Sequence, residues 1–261
     1  MNNQFCFVAP MYNASKTLGQ MIMTIMSQSY SDWKIILIDD VSTQQELAKE
    51  KLILENYRSF FKKNGIDSNK IIVHWNDKNG RGKQWEMSNV LYGISQCNDD
   101  DIIVRIDADD YLTDNDALNI LNIVYNDTDA DAVWTAHRWN ILGRNISAAM
   151  HENADPYKFP WVSSHMKTFR KKLINGISYE NFLNQNGDLI KRTGDQGLYL
   201  PILHKTKKRL YIPLCTYHYT IDEQDGAVYH TDDAKFQKSE ADFIRSRGYV
   251  SSGTPWEEII K

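Results

Sequence analysis

A three-layer α/β domain with a mainly parallel sheet is the fold class this sequence predicts, and three observations carry the prediction. From its start to about Ala132 the chain alternates short apolar runs with stretches of helical periodicity, the rhythm of a wound parallel sheet. The second apolar run, Lys34–Asp39 (KIILID), is hydrophobic at almost every interior position, as a strand covered on both faces must be. Polar turns follow the first, second and fourth runs, where open sheets of this class bind their ligands. At 261 residues, 42% of them hydrophobic and 25% charged, the chain has the material for such a core.

Gln4–Ala9 reads as the first strand, and Ser15–Ser27 as a helix with Leu18, Ile22 and Ile25 on one face. After the strand Lys34–Asp39, Thr43-x-x-Glu46 is a capping box opening a helix to about Lys62, with Leu47, Leu54 and Phe61 inward. Lys70–Trp75 is the third strand, and Gln84–Ser95 a helix carrying Met87, Leu91 and Ile94. Asp101–Ile106 is the fourth strand; Asp116–Asn126 is a helix with Leu118, Leu121 and Tyr125 inward. From Ala132 the elements shorten, the rhythm is lost and aromatic residues crowd (Trp134, Trp139, Tyr157, Phe159, Trp161). A helix follows Asp195, Arg209–Tyr219 reads as a strand pair broken by Pro213, and Phe236, Phe243 and Ile244 mark an amphipathic C-terminal helix. No linker-like, repeated or low-complexity stretch divides the chain, so one domain is expected over residues 1–261.

Thirty Lys+Arg against 34 Asp+Glu give a net charge of −4, which excludes a global basic field for nucleic acid or anionic lipid. No apolar run approaches the ~20 residues of a spanning helix. The N-terminal Met1-Asn2-Asn3-Gln4-Phe5 has no basic leader, so a cytoplasmic protein without integral membrane contact is expected. Cys6, Cys97 and Cys215 are too few and too scattered for a disulfide frame or a zinc knuckle, and Cys6 reads as a small core residue.

The sharpest feature is Asp107-Ala108-Asp109-Asp110, leaving the end of an apolar strand. Asp107 and Asp109 point to one side of an extended backbone, and neighbouring carboxylates repel unless a cation intervenes. A hard divalent ion, Mg2+ or Mn2+, prefers such oxygen ligands and keeps room for phosphates. The plainer account is a solvated acidic turn capping the next helix through Thr113 or Asp114; placement directly after a buried strand weighs against it. A calcium loop fails on spacing, because its glycine and glutamate positions hold Leu112 and Leu118. Tyr111 at the fifth position argues against a phosphatase of the aspartyl-phosphate type. Gly80-Arg81-Gly82-Lys83-Gln84 completes neither G-x-G-x-x-G nor G-x-x-x-x-G-K-[ST]. Arg81 and Lys83 there suit either a cationic arm over a diphosphate or an ordinary basic surface loop.

Four motifs now stand in register. Pro10-x-Tyr12-Asn13 follows strand one, Asp39-Asp40-x-Ser42 strand two, Asn79-x-x-Gly82 strand three and Asp107-Ala108-Asp109-Asp110 strand four. Together they resemble the family 2 glycosyltransferases of the GT-A fold. The resemblance covers about residues 4–130 and continues in Thr193-Gly194-Asp195-Gln196-Gly197-Leu198, which is similar to the family's Glu-Asp-x-x-Leu element. His165-Met166-Lys167-Thr168-Phe169-Arg170 resembles an acceptor-side segment of some members.

The resemblance implies that Pro10, Tyr12, Asn13 and Asp39 frame a nucleoside base, with Asp40 near the base or ribose. It implies that Asp107 contacts ribose or metal, that Asp109 ligates the metal holding a diphosphate, and that Asp195 is the acceptor-activating base. His218 falls where some members bring an extra ligand to metal or diphosphate, although a histidine between Tyr217 and Tyr219 also reads as an interior residue. Two departures stand out. Met87-Ser88-Asn89 replaces the family's Ala-Arg-Asn, so a cation on the nucleotide must come from Arg81 or Lys83; and Gly194 replaces the glutamate before the base, which leaves Asp188 as a fallback. Asp195 also reads plainly as a helix cap. Trp161 and Trp139 suit stacking against a sugar, and Trp161, His165 and Arg170 form the expected acceptor set.

The implied domain has a nucleotide-sugar-binding half (1–135), an acceptor and catalytic half (136–230) and a C-terminal helix and tail (231–261). The implied activity is metal-dependent transfer of a sugar from a nucleoside diphosphate sugar, a UDP-sugar favoured, to an acceptor hydroxyl, with Mn2+ or Mg2+. The acceptor is a glycan or a modified base in phage DNA. Two basic clusters, Arg170-Lys171-Lys172 and Lys205-Thr206-Lys207-Lys208-Arg209, speak for DNA, and the net charge speaks against it. The alternatives are a sugar-phosphate nucleotidylyltransferase, which needs a stronger phosphate loop early in the chain, and a non-catalytic nucleotide-sugar-binding protein.

Overall fold

The structure, a computed structural model, describes residues 2–77, 85–139, 143–220 and 232–260. Its strands are β1 (Phe5–Met11), β2 (Trp33–Asp39), β3 (Ile71–Trp75), β4 (Ile102–Arg105), β5 (Tyr111–Leu112), β6 (Ala132–Trp139), β7 (Lys167–Arg170) and β8 (Arg209–Tyr219). They form one sheet in the order β3-β2-β1-β4-β7-β6-β8-β5. The principal helices are α1 (Leu18–Met26), α2 (Gln44–Lys63), α3 (Trp85–Ser95), α4 (Ala117–Asp127), α5 (Gly194–Lys205) and α6 (Asp232–Arg247).

Strand alternation sorts the core into two layers. Phe5, Phe7 and Ala9 of β1 pack with Ile35 and Leu37 against α1, α2 and α4. Cys6 and Val8 pack with Ile36 and Ile38 against α3, α5 and Ile244 of α6. Every residue of β1 is buried, the expected mark of a central strand covered on both faces. Gly93 lets α3 lie close on the sheet: a Cβ there would meet Val8 Cγ1 at 2.5 Å and Ile38 Cδ1 at 2.7 Å. On α2 the buried face is Glu50, Leu54 and Phe61, and Leu47 is only half-buried. Half of the predicted capping box forms, since Thr43 Oγ1 accepts from Glu46 N–H while the Glu46 carboxylate turns to Ser15 and Lys49.

Register fixes where a site must lie. β1, β2 and β3 run parallel with Met11 beside Asp39 and Asp39 beside Trp75, and β4 joins β1 with Arg105 beside Val8. The carboxyl ends therefore share one edge. β7 runs antiparallel to β4, Lys167 opposite Arg105 and Arg170 opposite Ile102. The start of β7 thus reaches the same edge and its end the opposite one. β6 and β8 run parallel and deliver Trp139 and Tyr219 side by side to the site edge.

Two expectations are corrected. Arg209–Tyr219 is one strand with a bulge, not a pair: Ile212 pairs with Thr135 and Cys215 with Ala136, so Pro213 and Leu214 fall in the interruption. A proline has no N–H for the ladder, and a bulge accommodates it. Cys6 and Cys97 meet in the core of β1 and α3 as a disulfide, so Cys6 is not an isolated core thiol.

Candidate active site

One cleft, about 860 Å³, opens over the ends of β1, β2 and β4 and is lined by Pro10, Tyr12, Asn13, Asp40, Asp107 and Asp109 among others. Two turns build it. Asn13 sits at φ 52°, a left-handed conformation that asparagine tolerates. Its N–H donates to Ser42 Oγ at 2.8 Å, and its Oδ1 accepts from Thr43 N–H at 2.9 Å, tying the loop after β1 to the loop after β2. Asp39 is 2% exposed and accepts from Ser42 N–H and Oγ–H, so its carboxylate braces the turn and does not line the cleft. The chain then reverses at Val41 (φ 59°), and Asp40 is the carboxylate that lines the cleft.

The aspartates after β4 divide by partner. Asp107 is held by the Arg105 guanidinium at 2.7 Å, and Arg105 also bonds Glu86. Asp110 is buried, accepting from the Tyr217 hydroxyl and from Thr220 N–H. Among the described residues no cation is seen bonded to Asp109: desolvation in the cleft and the Asp107 charge outweigh the nearby Arg105 and push its carboxyl up to about 7. An all-oxygen pair in mutual repulsion beside open space fits a hard divalent ion, and Asp107 with Asp109 would hold it. Ligand atoms of Asp107, Asp110 and His165 also lie within 4.8 Å of one another. In that cluster, however, Asp110 and His165 are already occupied by protein partners.

A second pocket, about 530 Å³, is lined by Trp139, Trp161, Tyr219, His165, Asp195 and residues of α6. Glu86, Asp107 and Arg192 line both pockets, so the two meet at these three side chains. Asp195 is the second residue of α5, where a helix N-terminus favours an anion. Its Oδ1 lies 2.7 Å from Lys167 Nζ and its Oδ2 3.4 Å from His165 Nε2. Burial pushes the Asp195 carboxyl up, but Lys167, His165 and Arg105 outweigh it and hold it well below the usual range. The N-terminal backbone before α5 is held by another group. Glu240 of α6, fully buried, accepts from the N–H groups of Lys191, Arg192 and Thr193 and from Thr193 Oγ–H.

The structure thus gathers Pro10, Tyr12, Asn13, Asp40, Asp107 and Asp109 at one pocket and Asp195, Trp161, Trp139 and His165 at its neighbour. Arg170 is elsewhere: at the far end of β7 its guanidinium bonds the carbonyls of Ala130 and Tyr125. His218 lines neither pocket, and its ring stacks on Tyr111 with 4.3 Å between centroids. Asp188 pairs with Lys191 at 3.0 Å and also lines neither. Arg81, Lys83 and the Asn79-x-x-Gly82 turn lie outside the described residues.

The model of "Glycosyl transferase family 2" matches residues 6–181, most of the chain. The chain belongs to glycosyl transferase family 2. Its fold is GT-A, shared with S. aureus TarS at TM-score 0.63 and 16% identity, over 89% of this chain and 41% of TarS. The mannosyltransferase PcManGT from Pyrobaculum calidifontis, solved with GDP-Man and Mn2+, aligns at TM-score 0.61 and 11% identity, over 100% of this chain and 68% of that one. A segment of 46 residues is 44% identical to EpsE of Bacillus subtilis (strain 168), covering 18% of this chain and 16% of EpsE. This family 2 chain therefore spans less than half of TarS, and the matched segment is a small part of EpsE.

Four residues of the two pockets and their supports have no role in the motifs: Glu86, Arg105, Glu240 and Lys167, the last lying inside the segment His165–Arg170 without a role of its own. Arg105 left one visible trace, a cation ending an otherwise apolar strand, which burial permits only with a partner, whereas Lys167 stands in the mixed run His165–Arg170 and left none. Glu86 and Glu240 left none, because a charged residue on an amphipathic helix reads as surface.

Proposed function

We propose that this family 2 glycosyltransferase moves a sugar from a nucleoside diphosphate sugar, a UDP-sugar first, to a carbohydrate hydroxyl, with Mn2+ or Mg2+ at Asp107 and Asp109. One domain does this, its first half holding the donor and its second half the acceptor. The observation that carries the reading is the meeting of the two pockets at Glu86, Asp107 and Arg192, with Asp109 on one side and Asp195 on the other. A TarS structure holds UDP-GlcNAc and the PcManGT structure holds GDP-Man with Mn2+; both support a nucleotide-sugar donor here.

Pro10, Tyr12 and Asp40 frame the nucleoside, and Asp39 shapes their turn through Ser42. A bound divalent ion neutralises the charge that develops on the departing diphosphate. The acceptor hydroxyl donates to Asp195. As its oxygen bonds the anomeric carbon, the bond to the diphosphate breaks with its electron pair and the hydroxyl proton passes to the Asp195 carboxylate. An oxygen forming that bond is a far stronger acid than an alcohol, so a carboxylate held at low pKa still takes the proton. Glu86 and Asp107 stand near the oxocarbenium-like centre and stabilise its charge.

Trp139, Trp161 and Tyr219 give the acceptor pocket apolar faces for a sugar ring. The basic clusters that spoke for DNA lie at the other edge of the sheet. Arg209 sits beside Ala132 at the start of β6 and bonds the carbonyls of Glu152 and Ala154, while Lys171 is taken by Asp99 and Asn175. A glycan is therefore favoured over modified DNA. No described helix is long and apolar enough to cross a membrane.

A donor screen tests the reading. Mn2+-dependent release of UDP from a UDP-sugar, stimulated by added glycan, is expected. No nucleotide release from any donor with either metal would overturn it. Pyrophosphate release from a sugar phosphate and a nucleoside triphosphate would identify a nucleotidylyltransferase instead.

A further inference from the structure

We infer that Lys167 is the positioning residue for Asp195: its buried ammonium keeps the acceptor-side carboxylate ionised and aimed into the pocket. The inference rests on the reading of Asp195 as the base that takes the acceptor's proton.

Lys167 is 0% exposed, inside the sheet, between Arg105 of β4 and Trp134 of β6. A buried ammonium is costly unless it is paired, and like charges directly opposite on neighbouring strands repel. An apolar side chain would suit the packing better, so the lysine calls for another reason. The partners supply it. Arg105 is committed to Glu86 and Asp107, whereas Lys167 is committed to Asp195 Oδ1 at 2.7 Å and His165 Nδ1 at 3.2 Å. Each cation thus carries different carboxylates to the place where the pockets meet.

The proton positions follow from chemistry. An ammonium only donates, so His165 Nδ1 accepts and the ring proton sits on Nε2, facing Asp195 Oδ2 at 3.4 Å. Burial and the Lys167 charge push His165 well down, which keeps the ring neutral. Tyr217 and Tyr219 stack on it at 4.8 and 4.7 Å between centroids. Each Asp195 oxygen therefore faces one fixed donor, and 33% of the side chain is left open to the pocket. Among the described residues the charged or titratable groups facing Asp195 include Lys167, His165, Arg105, Glu86 and His137, and Arg192 and Lys238 line the same pocket. Lys167 heads the attraction. Without it, burial and Glu86 work to protonate the carboxylate.

The test compares Lys167→Met, Lys167→Arg, Asp195→Asn and the Lys167→Met/Asp195→Asn double variant in the transfer assay across pH. Lys167→Met is expected to keep the donor KM and Mn2+-dependent UDP binding. It should lower kcat about tenfold or more and, at saturating Mn2+ and donor, where the ion keeps Asp109 ionised, move the acid limb of kcat up by about one pH unit or more. Lys167→Arg should recover most of kcat, and the double variant should be no slower than Asp195→Asn alone, because both changes act through one carboxylate. Lys167→Gln, which keeps a neutral donor, replaces Lys167→Met if that variant does not fold, with the same expected shift. An unmoved acid limb and parental kcat in the neutral Lys167 variant, alongside an impaired Asp195→Asn, would overturn the role of Lys167 alone. Near-parental transfer by Asp195→Asn would instead overturn the base reading beneath it.

Discussion

Asp109, exposed at the cleft beside Asp107, is a carboxyl whose protonated form the fold favours. Its carboxyl is pushed up to about 7 by desolvation in the cleft and by Asp107, against an unfolded value near 4. A raised acid pKa means that the folded chain binds the proton more tightly than the unfolded one. Stability from this group is present below about pH 4 and is lost as pH rises to about 7. Asp109→Asn should therefore raise Tm in metal-free buffer at pH 8, with the gain shrinking towards pH 4, while abolishing the Mn2+-dependent tightening of UDP. A melting series with and without chelator checks both; an equal Tm change at pH 4 and pH 8 would contradict the account. Asp40 gives a second residue-scale expectation. Asp40→Ala should weaken UDP binding by about 1.5–3 kcal/mol with or without metal, the loss of one charge-assisted hydrogen bond. Asp39→Ala should weaken it indirectly by loosening the Ser42 turn, and with a lower Tm, since Asp39 is buried and doubly bonded. Calorimetric titration separates the two.

Among the elements, α6 has the least obvious function. It lines the second pocket through Gln237 and Lys238, and through Glu240 it grips the backbone that leads into α5. Removing Glu240 leaves three N–H groups without their acceptor. Glu240→Ala should cost on the order of 1.5–3 kcal/mol in stability. Transfer should fall more than UDP binding, because Arg192 and Asp195 flank the gripped segment; an unchanged melt would remove Glu240 from the account. The elements also show what was legible in the sequence. The strand–helix units through α4 announce themselves because each carries its own period and its own turn. The loops after β1, β2 and β4 could be placed at one sheet edge for the same reason, whereas which of Asp39 and Asp40 faces the cleft depends on the reversal at Val41, a backbone choice. β6, β7 and β8 gave weaker signals: their register is set by long-range antiparallel and parallel pairing, and their site-facing residues are aromatic or charged, not alternating. Arg170 illustrates the difficulty. It is three residues from Lys167 in the sequence, yet antiparallel pairing carries it to the opposite edge of the sheet.

Over the whole molecule, one sheet edge serves two pockets of different origin. The first cleft grows from the adjacent ends of β2, β1 and β4, the second pocket from the returning β7, the β6–β8 pair, α5 and α6. The central claim is that the second pocket contributes a base that the first can do without. Asp195→Asn tests it most directly. The variant leaves Lys167 buried without its anion, so a lower Tm is expected, and the assay belongs at a temperature where parent and variant are both folded. There the account predicts unchanged Mn2+-dependent UDP binding and a transfer rate lower by about 10²–10⁴-fold, the range of a lost general base. Transfer close to the parental rate by the folded variant would contradict it, and would leave Asp195 only as the ion-pair partner of Lys167 at the start of α5.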